Sequence, residues 1–99
     1  MRTRFVLALP FVLLGATSTA LACGRDTVAL IESVTAMDKP LLFTCGSEFN
    51  EMLVRAHRKD WKGALAAYEA HLALVGKPQA GSADASRTLA FLRQKAEAQ

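Results

Sequence analysis

The chain has 99 residues, of which 52% are hydrophobic and 21% charged, so it is long enough for one domain and too apolar for a disordered tail. Its formal net charge is +3, but Arg2 and Arg4 stand ahead of an apolar run, and residues 23–99 alone carry ten bases and nine acids, a net charge of +1. This near balance excludes a nucleic-acid-coating peptide and predicts no strong general attraction to anionic lipid.

The first 22 residues have the layout of a secretory signal peptide. The basic start leads into an apolar run from Phe5 to Leu14, and small residues follow, with Ala20 and Ala22 at the −3 and −1 positions of a cleavage site. Ten apolar residues span only about 15 Å of a ~30 Å hydrocarbon core, so a permanent membrane span is not expected. We therefore expect an extracytoplasmic protein, periplasmic or secreted, with a single helical domain in residues 23–99.

The cleavage site would make Cys23 the first mature residue, which leaves two alternatives. Ala20-Leu21-Ala22-Cys23 resembles the signal of bacterial lipoproteins, in which the cysteine is acylated. This resemblance implies a membrane-anchored protein with a structural or assembly role. That family usually has Leu where Ala20 stands, and its apolar core runs almost directly into the cysteine. Ordinary cleavage fits both departures better.

The second alternative pairs Cys23 with Cys45, the only other cysteine. Disulfides form in oxidising compartments, and a bridge across a loop of roughly twenty residues is worth about 3 kcal/mol. The Asp38-Lys39-Pro40 break gives the chain room to reverse so that the two cysteines meet. We predict this disulfide, because lipidation of Cys23 would leave Cys45 as an odd thiol.

The residues after the signal predict an all-α fold, a small antiparallel bundle of three to four helices. Asp26 is suited to cap a helix of Thr27 to Met37, although its β-branched residues leave a strand as the alternative. A second helical run begins at Leu42, or after Gly46 with Ser47 as a new cap, and extends to Lys59.

Asp60 is suited to cap a third helix, Trp61 to Val75, which Gly76-Lys77-Pro78 ends. Gln79 to Ser82 is expected to be a loop, and a fourth helix follows from about Ala83 to Ala98. The predicted apolar faces contain Leu30, Ile31, Val34, Met37, Cys45, Phe49, Met52, Leu53, Ala56, Trp61, Ala64, Leu65, Tyr68, Leu72, Ala85, Leu89, Phe91, Leu92 and Ala96. Short links between such helices favour antiparallel neighbours.

Three residues invite a chemical interpretation, as a thiol- or metal-dependent protein using Cys45, His57 or His71. Cys45-Gly46-Ser47 resembles part of the nucleophile segment of papain-like proteases, but Glu48 follows where that family has Cys, and only 54 residues remain for its second domain. His57 and His71 are fourteen residues apart with no ligand at helical spacing, and bases surround His57. We expect two surface histidines, no metal, no cofactor and no catalytic residue.

Two short basic runs also stand out, Arg55-Ala56-His57-Arg58-Lys59 and Arg93-Gln94-Lys95. Both lie near a predicted helix C-terminus, where the helix dipole favours cations. The alternative is a surface for anionic lipid, an acidic partner or a cell-wall polymer.

Residues 60–74, with Pro78 soon after, resemble the second helix of a tetratricopeptide repeat. Asp60, Trp61, Ala64, Tyr68, Leu72 and Pro78 match that helix in residue type. His71 departs, since a small residue is usual there, and the preceding helix has Glu51, Met52 and Arg55 near the family's glycine and aromatic positions. The resemblance implies a helical hairpin that binds protein or peptide.

The functional expectation is therefore a non-enzymatic binding module of the cell envelope, whose partner is a protein or another envelope component. No nucleic-acid partner is expected, and a membrane is expected as a partner only if Cys23 is lipidated. Self-association as a homodimer, through the alanine-rich third helix or the fourth helix, is a further alternative.

Overall fold

The computed structural model describes residues 26–43 and 45–99, so Ala20, Ala22 and Cys23 lie outside the described residues. Within those residues the chain forms helices and no strand, which confirms the all-α prediction and removes the strand alternative for the first helix. The helices are α1 (Thr27–Thr35), α2 (Ser47–His57), α3 (Trp61–Leu74), the single turn α4 (Lys77–Ala80) and α5 (Ala83–Glu97).

Helices α2, α3 and α5 are antiparallel neighbours. Phe49, near the start of α2, packs edge-on against His71 in the last turn of α3, with ring centroids 5.2 Å apart. Trp61, at the start of α3, packs edge-on against Phe91 in the second half of α5, at 6.1 Å. The tight links between these helices leave no other arrangement for their apolar faces, as in an antiparallel bundle.

Helix α1 packs on both α2 and α5 and closes the bundle. The N–H of Thr27, at its start, donates to Asp84 at the start of α5 over 2.9 Å. Just beyond its end, the carbonyl oxygen of Met37 lies 2.9 Å from Nε2 of His57 at the end of α2. Helix α1 therefore runs in the same direction as α2, and the chain reverses through residues 36–46.

Side-chain caps set three of the helix starts. Asp26, Asp60 and Ser82 accept hydrogen bonds from backbone N–H groups three residues further on, at 3.2, 3.0 and 3.1 Å. The first two caps are as predicted. The predicted cap at Ser47 is wrong by one position: Gly46 occupies the cap position with φ of 116°, and the Ser47 hydroxyl bonds to the Glu48 side chain instead. Glycine suits this backbone because an L side chain rarely adopts it.

The link after α3 also differs from the prediction. Helix α3 ends in an extended Val75, and Gly76 stands at the cap position of α4, so this glycine does not terminate α3 in a left-handed conformation. Pro78 lies in the first turn of α4, where its missing N–H costs no hydrogen bond. The segment expected to be a loop thus begins as a helical turn.

A Schellman turn joins α2 to α3. Lys59 adopts the left-handed conformation with φ of 65°, and the N–H groups of Lys59 and Asp60 donate to the carbonyls of Ala56 and Arg55 at 2.9 and 2.8 Å. Asp60 at once becomes the cap of α3. One residue therefore closes α2 and opens α3, which makes the pair a tight helical hairpin.

Replacing Lys59 by glycine should raise the free energy of unfolding by about 1 kcal/mol, because glycine adopts positive φ without the clash that a side chain suffers. Urea denaturation measures this. Lys59→Ala is the matched control: it removes the same charge and keeps the β-carbon, so it should leave the free energy of unfolding close to that of the wild type. Equal stabilisation by both variants would contradict a backbone origin.

The core lies between α1, α2, α3 and α5. Fully buried apolar side chains come from all four helices, namely Ile31, Val34, Phe49, Met52, Leu53, Ala56, Ala64, Tyr68 and Leu92. These residues all lie on the predicted faces. Met37 does not join them, because α1 ends before it and leaves it 38% exposed. No helix in the described part of the chain is both long enough and apolar enough to cross a bilayer.

Candidate functional site

The segment before α2 is held in place by one side chain. Asn50 accepts a hydrogen bond from the N–H of Phe43 at 2.8 Å, and its amide donates to the carbonyl of the same residue at 2.7 Å. These two bonds satisfy both polar groups of the Phe43 backbone, as a neighbouring strand would. The Phe43 side chain packs against the core. The position of this segment on α2 is therefore fixed.

The same segment presents two adjacent leucines to solvent. Leu41 is 49% exposed and Leu42 is 62% exposed. Leucines in loops of monomeric proteins are usually buried where the backbone allows it, and neighbouring exposed apolar side chains often mark a binding surface. Here the Asn50 bonds hold the backbone so that Phe43 points inward and the two leucines remain outside.

Leu42 borders a shallow groove along the outer face of α2, which we call the Leu42 groove. Its volume is about 320 Å³, and half-buried Val54 adds a second apolar side chain to its wall. The polar residues along it are Ser47, Asn50, Glu51, Arg55 and Arg58. The groove thus combines an apolar wall with a charged rim, the composition of a site that accepts a side chain of a partner protein.

Ion pairs order most of this rim. Arg55 bonds Glu51 at 3.0 Å and Asp60 at 2.8 Å, and so links α2 to the cap of α3. The bond with Arg55, and secondarily that with the Gly63 N–H, lowers the pKa of Asp60 below its usual range. A β-carbon at Gly63 would collide with both side chains of the Arg55–Asp60 pair, which explains a glycine inside α3. Arg58, by contrast, is exposed at the end of the groove.

A buried polar cluster ties α1 to α5 on the inside of the bundle. Asp84 accepts from the N–H of Thr27 at 2.9 Å and from its hydroxyl at 2.6 Å, while the hydroxyl of Thr88 donates to the Asp84 carbonyl at 2.7 Å. Arg87 approaches the carboxylate to 3.6 Å. Asp84 thus caps the start of α1 from 57 residues away in the chain. The sequence analysis missed these residues, because nothing in the local pattern marks a cap supplied by a distant helix.

Tyr68 extends this cluster towards the core. Burial raises the pKa of its hydroxyl; a hydrogen bond with Thr88 offsets part of this shift, and the charge of Asp84 adds to it. The tyrosine is only 3% exposed. A neutral, hydrogen-bonded Tyr68 therefore completes a network that holds helices α1, α3 and α5 together.

His71 is buried at 5% exposure, so the expectation that it lies on the surface is wrong. Its ring packs against Phe49 and, at 5.9 Å between centroids, against Tyr68. Burial lowers the pKa of His71, and the charge of Glu48 offsets part of that shift. The small residue usual in tetratricopeptide helices is replaced here by an aromatic ring that fills the space beside Phe49.

The lowered pKa predicts a loss of stability in mild acid. Above the ordinary histidine pKa of about 6.5, the ring is neutral in both states and has no effect. As the pH falls below that value, the unfolded chain takes up a proton that the folded chain resists, so stability declines with a slope approaching about 1.4 kcal/mol per pH unit. His71→Phe should remove this part of the slope in urea denaturation between pH 7 and about pH 5. His57→Gln leaves His71 in place and should keep the wild-type slope; loss of the slope in that variant instead would contradict the assignment.

The residues considered for chemistry do not form one site. His57 lies at the opposite end of α2 from Phe49 and His71, with Nε2 against the Met37 carbonyl. Cys45 is half-buried and packs against the core at the start of α2. Within residues 26–43 and 45–99, no three histidine, cysteine or acidic side chains lie close enough together to hold a metal ion.

No protein family profile, characterised protein or solved structure matches this chain. Its function is therefore argued from its own surfaces.

Proposed function

We propose that the protein is an exported, non-enzymatic binding module that docks a partner protein of the cell envelope in the Leu42 groove. The observation that carries the proposal is the pair of exposed leucines, Leu41 and Leu42, on a backbone segment that Asn50 holds with two hydrogen bonds. A surface that keeps apolar side chains in water on an ordered backbone is suited to cover them with a partner.

The energetic reason is the burial of apolar area. Covering a half-exposed leucine recovers roughly 1 kcal/mol, since complete burial is worth about 1.5–3 kcal/mol. The segment is already ordered by Phe43 and Asn50, so binding costs little backbone entropy there. Two leucines together are then worth more than a factor of ten in affinity.

The rim indicates the chemistry of the partner. Arg55 is occupied by Glu51 and Asp60, whereas Arg58 is exposed beside the groove. A partner segment with an apolar side chain followed by a carboxylate would fill the space between Leu42 and Val54 and pair with Arg58. A lipid on Cys23 would anchor such a module and leave the groove unchanged.

The test compares one leucine in the groove with one outside it. Leu42→Asp places a charge on the apolar wall, and Leu74→Asp makes the same change at a leucine that is 70% exposed on α3 and does not line the groove. The processed wild-type protein and both variants are immobilised, and proteins retained from an envelope extract are quantified by mass spectrometry. Circular dichroism melts show that both variants are folded.

We expect at least one envelope protein to be retained by the wild type and by Leu74→Asp, and to fall about tenfold or more with Leu42→Asp. If that protein is a second copy of the chain, the module is a homodimer that uses this groove. Equal retention by all three proteins, or no protein retained above an empty matrix, contradicts the proposal.

A further inference from the structure

Two basic runs that lie far apart in the sequence meet at one end of the folded bundle. The side chain of Gln99, just after α5, accepts from the N–H of Lys62 and donates to the carbonyl of Lys59, both at 3.0 Å. Lys95 lies over the Trp61 ring, with Nζ 5.5 Å from its centroid. The turn between α2 and α3 and the last turns of α5 therefore form one surface. We call it the basic end, and its exposed bases are Arg58, Lys59, Lys62, Arg93 and Lys95.

The net charge of the chain conceals this asymmetry. Residues 26–43 and 45–99 carry nine Lys and Arg against nine Asp and Glu, a balance of zero. At the basic end the five exposed bases face two exposed acids, Glu97 and Glu69, the second 3.9 Å from Arg93. Asp60 is already paired with Arg55. The positive charge is therefore local, and a partner that contacts only this end meets a surface with a net charge of about +3.

Local stability does not account for two of these bases. Lys59 adopts a left-handed backbone that glycine or asparagine would adopt at lower cost. Lys62 lies in the first turn of α3, where the helix dipole disfavours a cation. Residues that break a local rule without a local gain are expected at functional surfaces. The explanation from helix C-termini, which fits Arg58 and Lys95, fails for Lys59 and Lys62.

Aromatic rings lie beside the same charges. Trp61 and Phe91 are half-buried and packed edge-on, and Nζ of Lys95 lies within 5.6 Å of both ring centroids. Tryptophan and long basic side chains are the residues that proteins place at the level of lipid headgroups. A soluble acidic partner would use the bases but would have no need of partly exposed rings.

We propose that the basic end docks the protein on an anionic lipid bilayer, with the lysines on the headgroup phosphates and the Trp61 edge at the interface. This contact is separate from the Leu42 groove and does not require a lipid on Cys23. Each base close to an anionic membrane contributes a factor of about five to the partition coefficient.

The test uses sedimentation of the processed, unlipidated protein with vesicles of phosphatidylglycerol and phosphatidylcholine, and with vesicles of phosphatidylcholine alone. The variant is Lys59→Gly with Lys62→Gln, which removes two charges and relaxes the strained turn. The matched control is Lys77→Gln with Arg87→Gln, which removes two charges at the other end of the bundle. Thermal melts of all three proteins accompany the binding curves.

We expect binding to the anionic vesicles only, weakened by salt, and lowered about tenfold or more by Lys59→Gly with Lys62→Gln while its melting temperature is maintained or raised. The Lys77 and Arg87 variant should bind within about twofold of the wild type, because those bases face away from the bilayer. Equal weakening by both variants, binding to neutral vesicles, or binding to soluble polyphosphate with none to vesicles would overturn the proposal.

Discussion

Replacing Asp84 by alanine should lower the free energy of unfolding by about 3 kcal/mol, because it leaves the N–H and the hydroxyl of Thr27 buried without an acceptor. Thr27 is 1% exposed, so water does not replace the lost bonds. A domain of this size has little more than about 5 kcal/mol of stability in total. We therefore expect a variant that is close to unfolding at 37 °C, measured by urea denaturation at lower temperature.

Asp26→Ala is the matched control, since Asp26 caps the same helix from the exposed side through a longer bond of 3.2 Å to the Ala29 N–H. Its loss should cost only about 1 kcal/mol, the usual value of a helix cap. Thr27→Val removes the hydroxyl alone and should fall between the two. Equal effects of Asp84→Ala and Asp26→Ala would contradict the view that the distant, buried carboxylate fixes α1.

Replacing Cys45 by serine should cost about 3 kcal/mol and lower the melting temperature by roughly ten degrees or more, if Cys45 and Cys23 are joined as the sequence predicts. The fold is compatible with the bridge, because α1 and α2 begin at the same end of the bundle and the chain reverses between them. Cys23 then lies in sequence three residues before the cap of α1, and Cys45 two residues before the start of α2.

The double variant supplies the control. If the cysteines form one bridge, Cys23→Ser, Cys45→Ser and the double variant should all have the same melting temperature, and the wild type should match them after reduction. The intact mass of the processed protein should then be two hydrogens below that of the dithiol. Two thiols that titrate in the unreduced, denatured protein would contradict the bridge and make a lipid on Cys23 the preferred explanation.

The helices followed from the sequence because their signals are local. An apolar stripe at helical spacing, a capping carboxylate and a helix-breaking proline all act within a few residues, and Asp26 and Asp60 were identified on that basis. The error at Ser47 has the same origin: a serine is a good cap by type, but the positive φ of Gly46 places the helix boundary one residue earlier.

The sites did not follow, since each depends on residues distant in sequence. Asp84 looks like an ordinary first-turn acid of α5 until α1 is placed beside it. His71 looks like a surface residue until Phe49 is placed against its ring. The orientation of Leu41 and Leu42 depends on Asn50, seven residues beyond Phe43, and sequence periodicity alone carries no signal for that pair of bonds.

The central claim is that the Leu42 groove contacts a partner in the cell, and site-specific photocrosslinking tests it most directly. A photoreactive amino acid is placed at position 42 in one strain and at position 74 in another, and the cells are irradiated before lysis. We predict a discrete adduct with one envelope protein from position 42, which Arg58→Glu weakens, and none of that adduct from position 74. No adduct at position 42, or the same adducts from both positions, would contradict the claim.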